Sequence, residues 1–370
     1  MKGLVIWSQS ACRSVAGLYA AVKDVANFPV KITLYHCDRC SDNLRSRIGL
    51  RNEEFSNVEM IPIGNDYDKA VRFLDDVHGY YHVFCIWQQA PSYRRLMKEI
   101  CQRGGSYAIA CEAPCNMKCG WRYYLQKVYY RTLLPVKGRD VIRNADFFLN
   151  YSGCDDVLAR QIGWPSEKII PFGYFPPPLE GSHFVGRVVS KPFVILSTGV
   201  LSYYRGADVL VEALRILTLK GIQYRAIITQ EGELLDSLKR KAQKFSLPIE
   251  FTGYVPMDKL IELYESCSVY VGAGRREPWG MRLNDALNCG APIVVSRGMG
   301  GVKMVDDYSC GLAFENENPL DLASKLEMLI TDEALYERCA KCVPVAVAAL
   351  SPRAMAKRFV DICRMHAKMV

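Results

Sequence analysis

No stretch of this chain approaches the roughly 20 consecutive apolar residues that a spanning helix needs, so any bilayer contact has to be peripheral. Low-complexity tracts are missing, and so is an aromatic-basic pattern of the nucleic-acid-binding kind, which leaves a disordered scaffold and a nucleic-acid partner without support. Histidine is scarce, five residues in 370, and no Ser/His/Asp arrangement stands out. His36 and His82 fall at strand edges, where isolated histidines are more often structural than catalytic. The opening MKGLVIW has no secretory-signal pattern and reads as a first strand, so a reducing cytoplasm is the expected setting.

Cysteine, by contrast, is plentiful. Its count of 15 is odd, which argues against a complete disulfide framework. Cys37 with Cys40 and Cys339 with Cys342 have zinc-like spacing, but the two pairs lie far apart in different expected domains, and zinc needs four converging ligands. Cys111, Cys115 and Cys119 recur every four residues, yet Pro114 argues against a helix through them. Buried free thiols are the reading, with no metal and no cofactor expected.

Half of the residues are hydrophobic and the net charge is +8, enough apolar material for two cores and a moderate attraction toward anions. At 370 residues the chain exceeds the usual size of a single core. Short apolar strands alternate with amphipathic helices from end to end, the pattern of parallel sheets flanked by helices. Strands are expected over 4–7, 31–36, 58–63, 82–87, 107–111 and 146–150, then over 193–197, 225–229, 249–252, 268–271 and 293–296. Between the two sets, Pro176, Pro177 and Pro178 forbid a helix and make 174–192 the linker. A final helix is capped by Ser351 with a proline at its first position, and it brings Met355, Phe359, Ile362 and Met365 to near-helical spacing.

Function is most legible in EPWGMRLNDALNCGAPIVVS, residues 277–296. Glu277 sits in a loop with Pro278 and Gly280. Asp285 falls in a helix that opens near Gly280 and stops at Gly290. A helix start offers unpaired N–H groups and positive dipole charge to a phosphate, whereas carboxylates are partners for hydroxyls. The combination suits a ligand that carries both, such as a nucleotide sugar. Arg205, at the start of a helix after strand 193–197, is the first candidate for the phosphates, because a cation there is disfavoured unless an anion is bound; a solvated helix-start residue is the other reading.

The stretch resembles the signature of the family 4 retaining glycosyltransferases, in which two glutamates are separated by seven residues and the first opens an E-P-x-G turn. FVILSTGVLSYYRGADVLVEAL, IEFTGYVPMDKLIELYESCSVYVGAGRREPWG and GMGGVKMVDDYSCGLAFENENPLDLASKL fall in the family's order, so the likeness covers about the last half of the chain. It implies an α/β fold of the GT-B type: two Rossmann-like doubly wound domains facing a central cleft. One is an acceptor-binding domain over 1–175 with the returning helix 351–370, the other a nucleotide-sugar-binding domain over 190–350. It implies a retaining, metal-independent transfer from a nucleotide-diphosphate sugar, UDP-sugar by default, to a glycan or lipid-linked glycan. Glu277 would orient the donor sugar, Arg205 hold the diphosphate, and Asp285 take the ribose hydroxyls. Pro278, Trp279 and Gly280 would complete the donor turn, with backbone amides near Gly199, Gly300 and Gly301.

Departures from the family pattern are specific. Val200 replaces an arginine, Arg205 a lysine, Gln230 a glycine and Asp285 a glutamate, while Met304 stands where an acid is common. Arg275, Arg276 and Arg282 crowd the signature, and one of them is expected to restore the cation lost at Val200, with Arg276 as the choice. Glu112 follows strand 107–111 where relatives carry a sugar-contacting histidine; it either meets donor or acceptor or is a fixed carboxylate beside a turn. The loop Ser8, Gln9, Ser10 offers hydrogen bonds to an acceptor. Residues 121–143 mix six Lys or Arg with Trp121 and four tyrosines, which suits either an anionic membrane surface or an amphipathic helix on the sheet with a solvated basic face. Two alternatives to transfer stand: a catalytically weak nucleotide-sugar-binding protein, and a GT-B nucleotide-sugar epimerase.

Overall fold

A computed structural model describes residues 1–8, 13–34, 60–62, 66–85, 91–113, 121–153, 156–188 and 191–367. Gln9, Ser10, His36, Cys37, Cys40, Cys115 and Cys119 lie outside the described residues.

The chain divides into two compact units, Met1–Pro177 with Leu350–Val370, and Pro178–Ala349. The first holds a seven-stranded sheet made of β1 Gly3–Ser8, β2 Val30–Leu34, β3 Met60–Pro62, β4 Tyr80–Phe84, β5 Tyr107–Cys111, β6 Phe148–Asn150 and β7 Ile169–Pro171. Its order is β3-β2-β1-β4-β5-β6-β7, parallel throughout. Strands covered on both faces read as unbroken apolar runs, and all six residues of β1 are buried. Trp7 anchors this core, stacked on Phe84 at 5.3 Å and donating from Nε1 to Nδ1 of His82 at 3.1 Å.

The second unit carries β8 Val194–Ser197, β9 Arg225–Thr229, β10 Ile249–Gly253, β11 Val269–Gly272, β12 Ile293–Ser296 and β13 Gly311–Phe314, ordered β10-β9-β8-β11-β12-β13 and again parallel. Helix Ala207–Leu219 buries Val209, Leu210, Val211, Leu214 and Leu217 against this sheet's core. In both sheets the direction of winding reverses once, between β1 and β4 and between β8 and β11. Such a switch point leaves a crevice at the carboxyl ends of the strands.

Several expectations need correction. The 82–87 strand begins two residues early, at Tyr80, because Gly3 and Leu4 of β1 pair with Tyr80 and Tyr81. Two three- and four-residue strands, β7 and β13, were too short to stand out by periodicity and exist by pairing with β6 and β12. Within 174–192 the chain is not free. Arg187 donates to the carbonyls of Tyr264, Cys267 and Cys289 at 2.7, 2.9 and 3.0 Å and fixes the segment after Pro178 to the second unit. Helix Pro352–His366, with Ser351 Oγ accepting from Ala354 N–H, buries Met355, Phe359 and Ile362, but Met365 is exposed. Residues 121–143 form two helices, Trp121–Arg131 and Leu133–Asn144, instead of one.

Among the described residues no single helix is long and apolar enough to cross a membrane, and no cluster of three or more His, Cys, Asp or Glu could hold a metal ion. The described cysteines are free and at least partly buried; burial pushes the Cys339 thiol up to about 11.

Candidate functional site

The switch point of the second sheet holds an open cavity of about 470 Å³. Ser197 to Leu201 form one wall at the end of β8, and Tyr270 to Gly274 form the other at the end of β11. Arg205, Glu277, Gly280, Arg282 and Met299 close it.

The β8 wall turns on glycine. Gly199 has φ 134° and Gly206 has φ 69°, both in the region side chains avoid. A Cβ on Gly206 would stand 1.9 Å from the Ala273 carbonyl oxygen, so only glycine lets the turn Tyr203–Arg205 approach the end of β11. Below the loop, Tyr264 Oη lies 2.9 Å from Thr198 Oγ1, and Tyr270 donates to the Thr198 carbonyl at 3.3 Å. Gly206 then starts helix Ala207–Leu219 with no side-chain cap.

The second helix start is that of Met281–Asn288. Gly280, at φ 98°, occupies its cap position and again no side chain caps it. Glu277 therefore does not cap this helix; it accepts a hydrogen bond from Nη1 of Arg205. Burial works against the Arg205 cation, but the adjacent Glu277 carboxylate raises its pKa above the ordinary arginine value and keeps the charge. The loop bearing Glu277 is clamped to the one after β12: Glu277 N–H donates to Gly298 O at 3.1 Å and Gly300 N–H to Glu277 O at 2.9 Å.

The three signature arginines have different environments. Arg275 is buried, with Nη1 and Nη2 each 2.7 Å from the two Asp208 carboxylate oxygens and its guanidinium 3.8 Å from the Tyr203 ring centroid. It is committed to holding the β8 turn. Arg276, the expected replacement cation, is exposed and does not line the cavity. Arg282 does: its Nη1 lies 3.4 Å from the Thr198 carbonyl, and a Cβ on Gly199 would meet that nitrogen at 2.5 Å. Val200, half exposed, lines the same cavity and brings no charge to it. Charged side chains on the cavity wall are thus Arg205, Arg282 and Glu277, a net positive set.

Gly199, Arg205, Glu277 and Gly280 are brought together. Gly300 and Gly301 are nearby, but their amides already donate to the carbonyls of Glu277 and Trp279, both at 2.9 Å, so they are not open donors. Trp279 is buried, its Nε1 donating to Asn284 at 2.8 Å. Pro278 and Asp285 do not line the cavity; Asp285 is buried on its helix, not exposed on it. Met304 is a core residue. Glu112 stands exposed after β5 in the first unit. Arg282 was one of the three arginines the sequence offered, whereas Tyr264 and Tyr270, which hold Thr198, are residues that sequence reasoning passed over.

Residues 180–343 match the family model of the glycosyl transferases group 1. Over 150 residues the chain is 31% identical to the GDP-mannose-dependent alpha-(1-6)-phosphatidylinositol dimannoside mannosyltransferase of Mycobacterium tuberculosis, covering 40% of this chain and 38% of that one. It is 26% identical over 208 residues to the mannosylfructose-phosphate synthase of Agrobacterium fabrum, covering 50% and 45%. The chain therefore spans less than half the length of these two relatives. Anabaena HepE, solved in complex with UDP, superposes with a TM-score of 0.67 at 15% identity, over 99% of this chain and 100% of that one. The lipopolysaccharide outer core galactosyltransferase WaaB in its apo form gives 0.67 at 12%, over 99% of each. The fold is the two-domain α/β fold of GT-B type.

Proposed function

From the match of residues 180–343 to the glycosyl transferases group 1, we propose that the protein is a retaining glycosyltransferase that takes a sugar from a nucleotide-diphosphate sugar and passes it to a glycan or lipid-linked glycan. The observation that carries this reading is the Arg205–Glu277 pair at the mouth of a cavity built from the ends of β8 and β11. Breaking a sugar–phosphate bond builds negative charge on the diphosphate and positive charge on the anomeric carbon, and both need groups held in place beforehand. Arg205 and Arg282 supply the first need, assisted by the uncapped starts of helices Ala207–Leu219 and Met281–Asn288. Glu277 supplies the second and accepts hydrogen bonds from the sugar hydroxyls. Arg282 takes the place of the cation that Val200 lacks. In this reading the charge of the leaving diphosphate is met by Arg205, Arg282 and the two helix starts, with no metal invoked.

Asp285 as ribose ligand asks for a carboxylate outside the observed cavity lining, so its role depends on the nucleotide reaching the buried face of its helix. Glu112 and the first unit are assigned to the acceptor. UDP-sugars come first among donors to try, since HepE was solved with UDP, and GDP-mannose second, since the mycobacterial relative depends on it.

The test is release of nucleoside diphosphate from donor, with binding measured separately by calorimetry. Arg205→Ala and Arg282→Ala should each weaken nucleoside diphosphate binding roughly ten- to a hundredfold, about 1.5–3 kcal/mol for a charge-assisted contact. Glu277→Gln should abolish most turnover while leaving that affinity equal or tighter, because Arg205 is freed for the ligand. Tight donor binding with no turnover across acceptors in the parent would leave the binding-protein reading instead. Unchanged affinity in Arg282→Ala would return the replacement cation to Arg276.

A further inference from the structure

We propose that the first unit docks on an anionic lipid bilayer through an apolar stripe along helices Trp121–Arg131 and Leu133–Asn144. Trp121, Tyr124, Leu125, Val128, Leu133 and Val136 are each more than half exposed. On the first helix the spacing of Trp121, Tyr124, Leu125 and Val128 puts all four on one face, opposite Tyr130, which is buried on the sheet side. This inverts the ordinary arrangement, in which a surface helix turns its apolar residues inward and its charges outward. Exposed apolar residues scattered singly need no explanation, but a contiguous stripe marks a contact surface.

Charge decides what the surface meets. Arg122, Lys127, Arg131, Lys137 and Arg139 flank the stripe, and no acid occurs between Trp121 and Arg139. By helical position Arg122 lies to one side of the apolar face and Lys127 and Arg131 to the other, so the cations border the apolar residues without interrupting them. An apolar strip with Trp and Tyr bordered by Lys and Arg fits the headgroup boundary of a bilayer carrying negative lipids, where rings enter the interface and cations meet phosphates. A second copy of this chain fits poorly, because a two-fold contact would set the same row of cations against itself. The surface is independent of the donor cavity, and its test does not use catalysis.

The full chain is floated with vesicles of phosphatidylcholine containing phosphatidylglycerol and, separately, with phosphatidylcholine alone. Binding is expected to the mixed vesicles only and to weaken as salt rises, since the attraction decays within a Debye length. Arg122→Gln/Lys127→Gln/Arg131→Gln should weaken it on the order of a hundredfold, each cation near such a surface contributing about fivefold. Leu125→Ser/Val128→Ser should weaken it as well, by removing the inserted side chains. All these residues are exposed or half-exposed, and an unchanged melting temperature checks the fold. In the parent, brominated lipid should quench an emission component that Trp121→Phe removes, a readout that needs no charge variant. Equal binding to both vesicle types, no binding at low salt, or binding untouched by both variants would overturn the proposal. Self-association of the parent, lost in Leu125→Ser/Val128→Ser and unaccompanied by vesicle binding, would make the stripe an interface between copies.

Discussion

His82 shows how a single buried ring can tie stability to pH. Burial lowers its pKa to about 3, Nδ1 accepts from Trp7, and Nε2 has no hydrogen-bond partner. The folded state therefore keeps the ring neutral, while in the unfolded chain it takes up a proton below about pH 6.5. Since the unfolded state binds the extra proton, stability falls as pH drops from about 6.5 toward 3, by up to about 1.4 kcal/mol per unit within that window, and the contribution is fully present above it. His82→Asn, which can still accept from the indole but cannot become charged, should flatten this acid limb in urea titrations repeated across pH. An unchanged limb would assign acid sensitivity to other groups. At the cavity between β8 and β11 sequence reading named Arg276 for the added cation, whereas Arg282 is the one of the three that lines it. Arg275, Arg276 and Arg282 look alike in a string, and what separates them is Asp208 and Tyr203, some 70 residues upstream, and the Thr198 carbonyl that Arg282 approaches.

Elements were legible where both faces are buried. Strands 107–111, 225–229 and 293–296 were placed to the residue because apolar runs of that length, bounded by polar or glycine breaks, have few other uses. The helix from Gly280 to Gly290 was legible from its glycines, which the structure holds at φ 98° and 90°. The inward or outward sense of helix Trp121–Arg131 was not, because apolar spacing gives a face and not its direction. The same limit applies to Met365, which keeps helical spacing but is exposed. Close approach between elements was also invisible. Gly206 is a case where it can be tested: Gly206→Ala adds a methyl that would meet the Ala273 carbonyl at 1.9 Å, in a backbone conformation alanine avoids. The β8 turn should be forced off β11 at a cost of about 3 kcal/mol or more, seen as a lower melting temperature, and Arg205 should lose its register on Glu277, seen as weaker nucleoside diphosphate binding. A stable protein with parental affinity would show that the turn has slack.

At the scale of the whole molecule, the chain crosses out of the first unit at Pro177 and returns to it at Leu350. Helix Pro352–His366 packs against Arg13–Val25, sets Phe359 beside Phe172 at 6.2 Å and lays Arg364 over Phe28 at 5.2 Å. Arg358 donates to the Pro171 carbonyl at 3.1 Å, fixing the helix to the end of β7. Its large buried apolar side chains are Met355, Phe359, Val360 and Ile362. At about 1.5–3 kcal/mol each, their burial sums to roughly 6–12 kcal/mol, comparable with the entire stability of a domain. The second unit has its own core, which includes Leu214, Leu217 and Tyr336 and none of residues 350–370. Deleting 350–370 should therefore unfold the first unit while the second keeps its sheet and its cavity. Scanning calorimetry of the truncated chain should lose one transition, and nucleoside diphosphate should still raise the temperature of the one that remains, because a ligand stabilises only what it binds. Transfer to acceptor should disappear with the first unit. Retention of both transitions would mean that the helix is dispensable, and loss of both would mean that the two units fold as a single cooperative body.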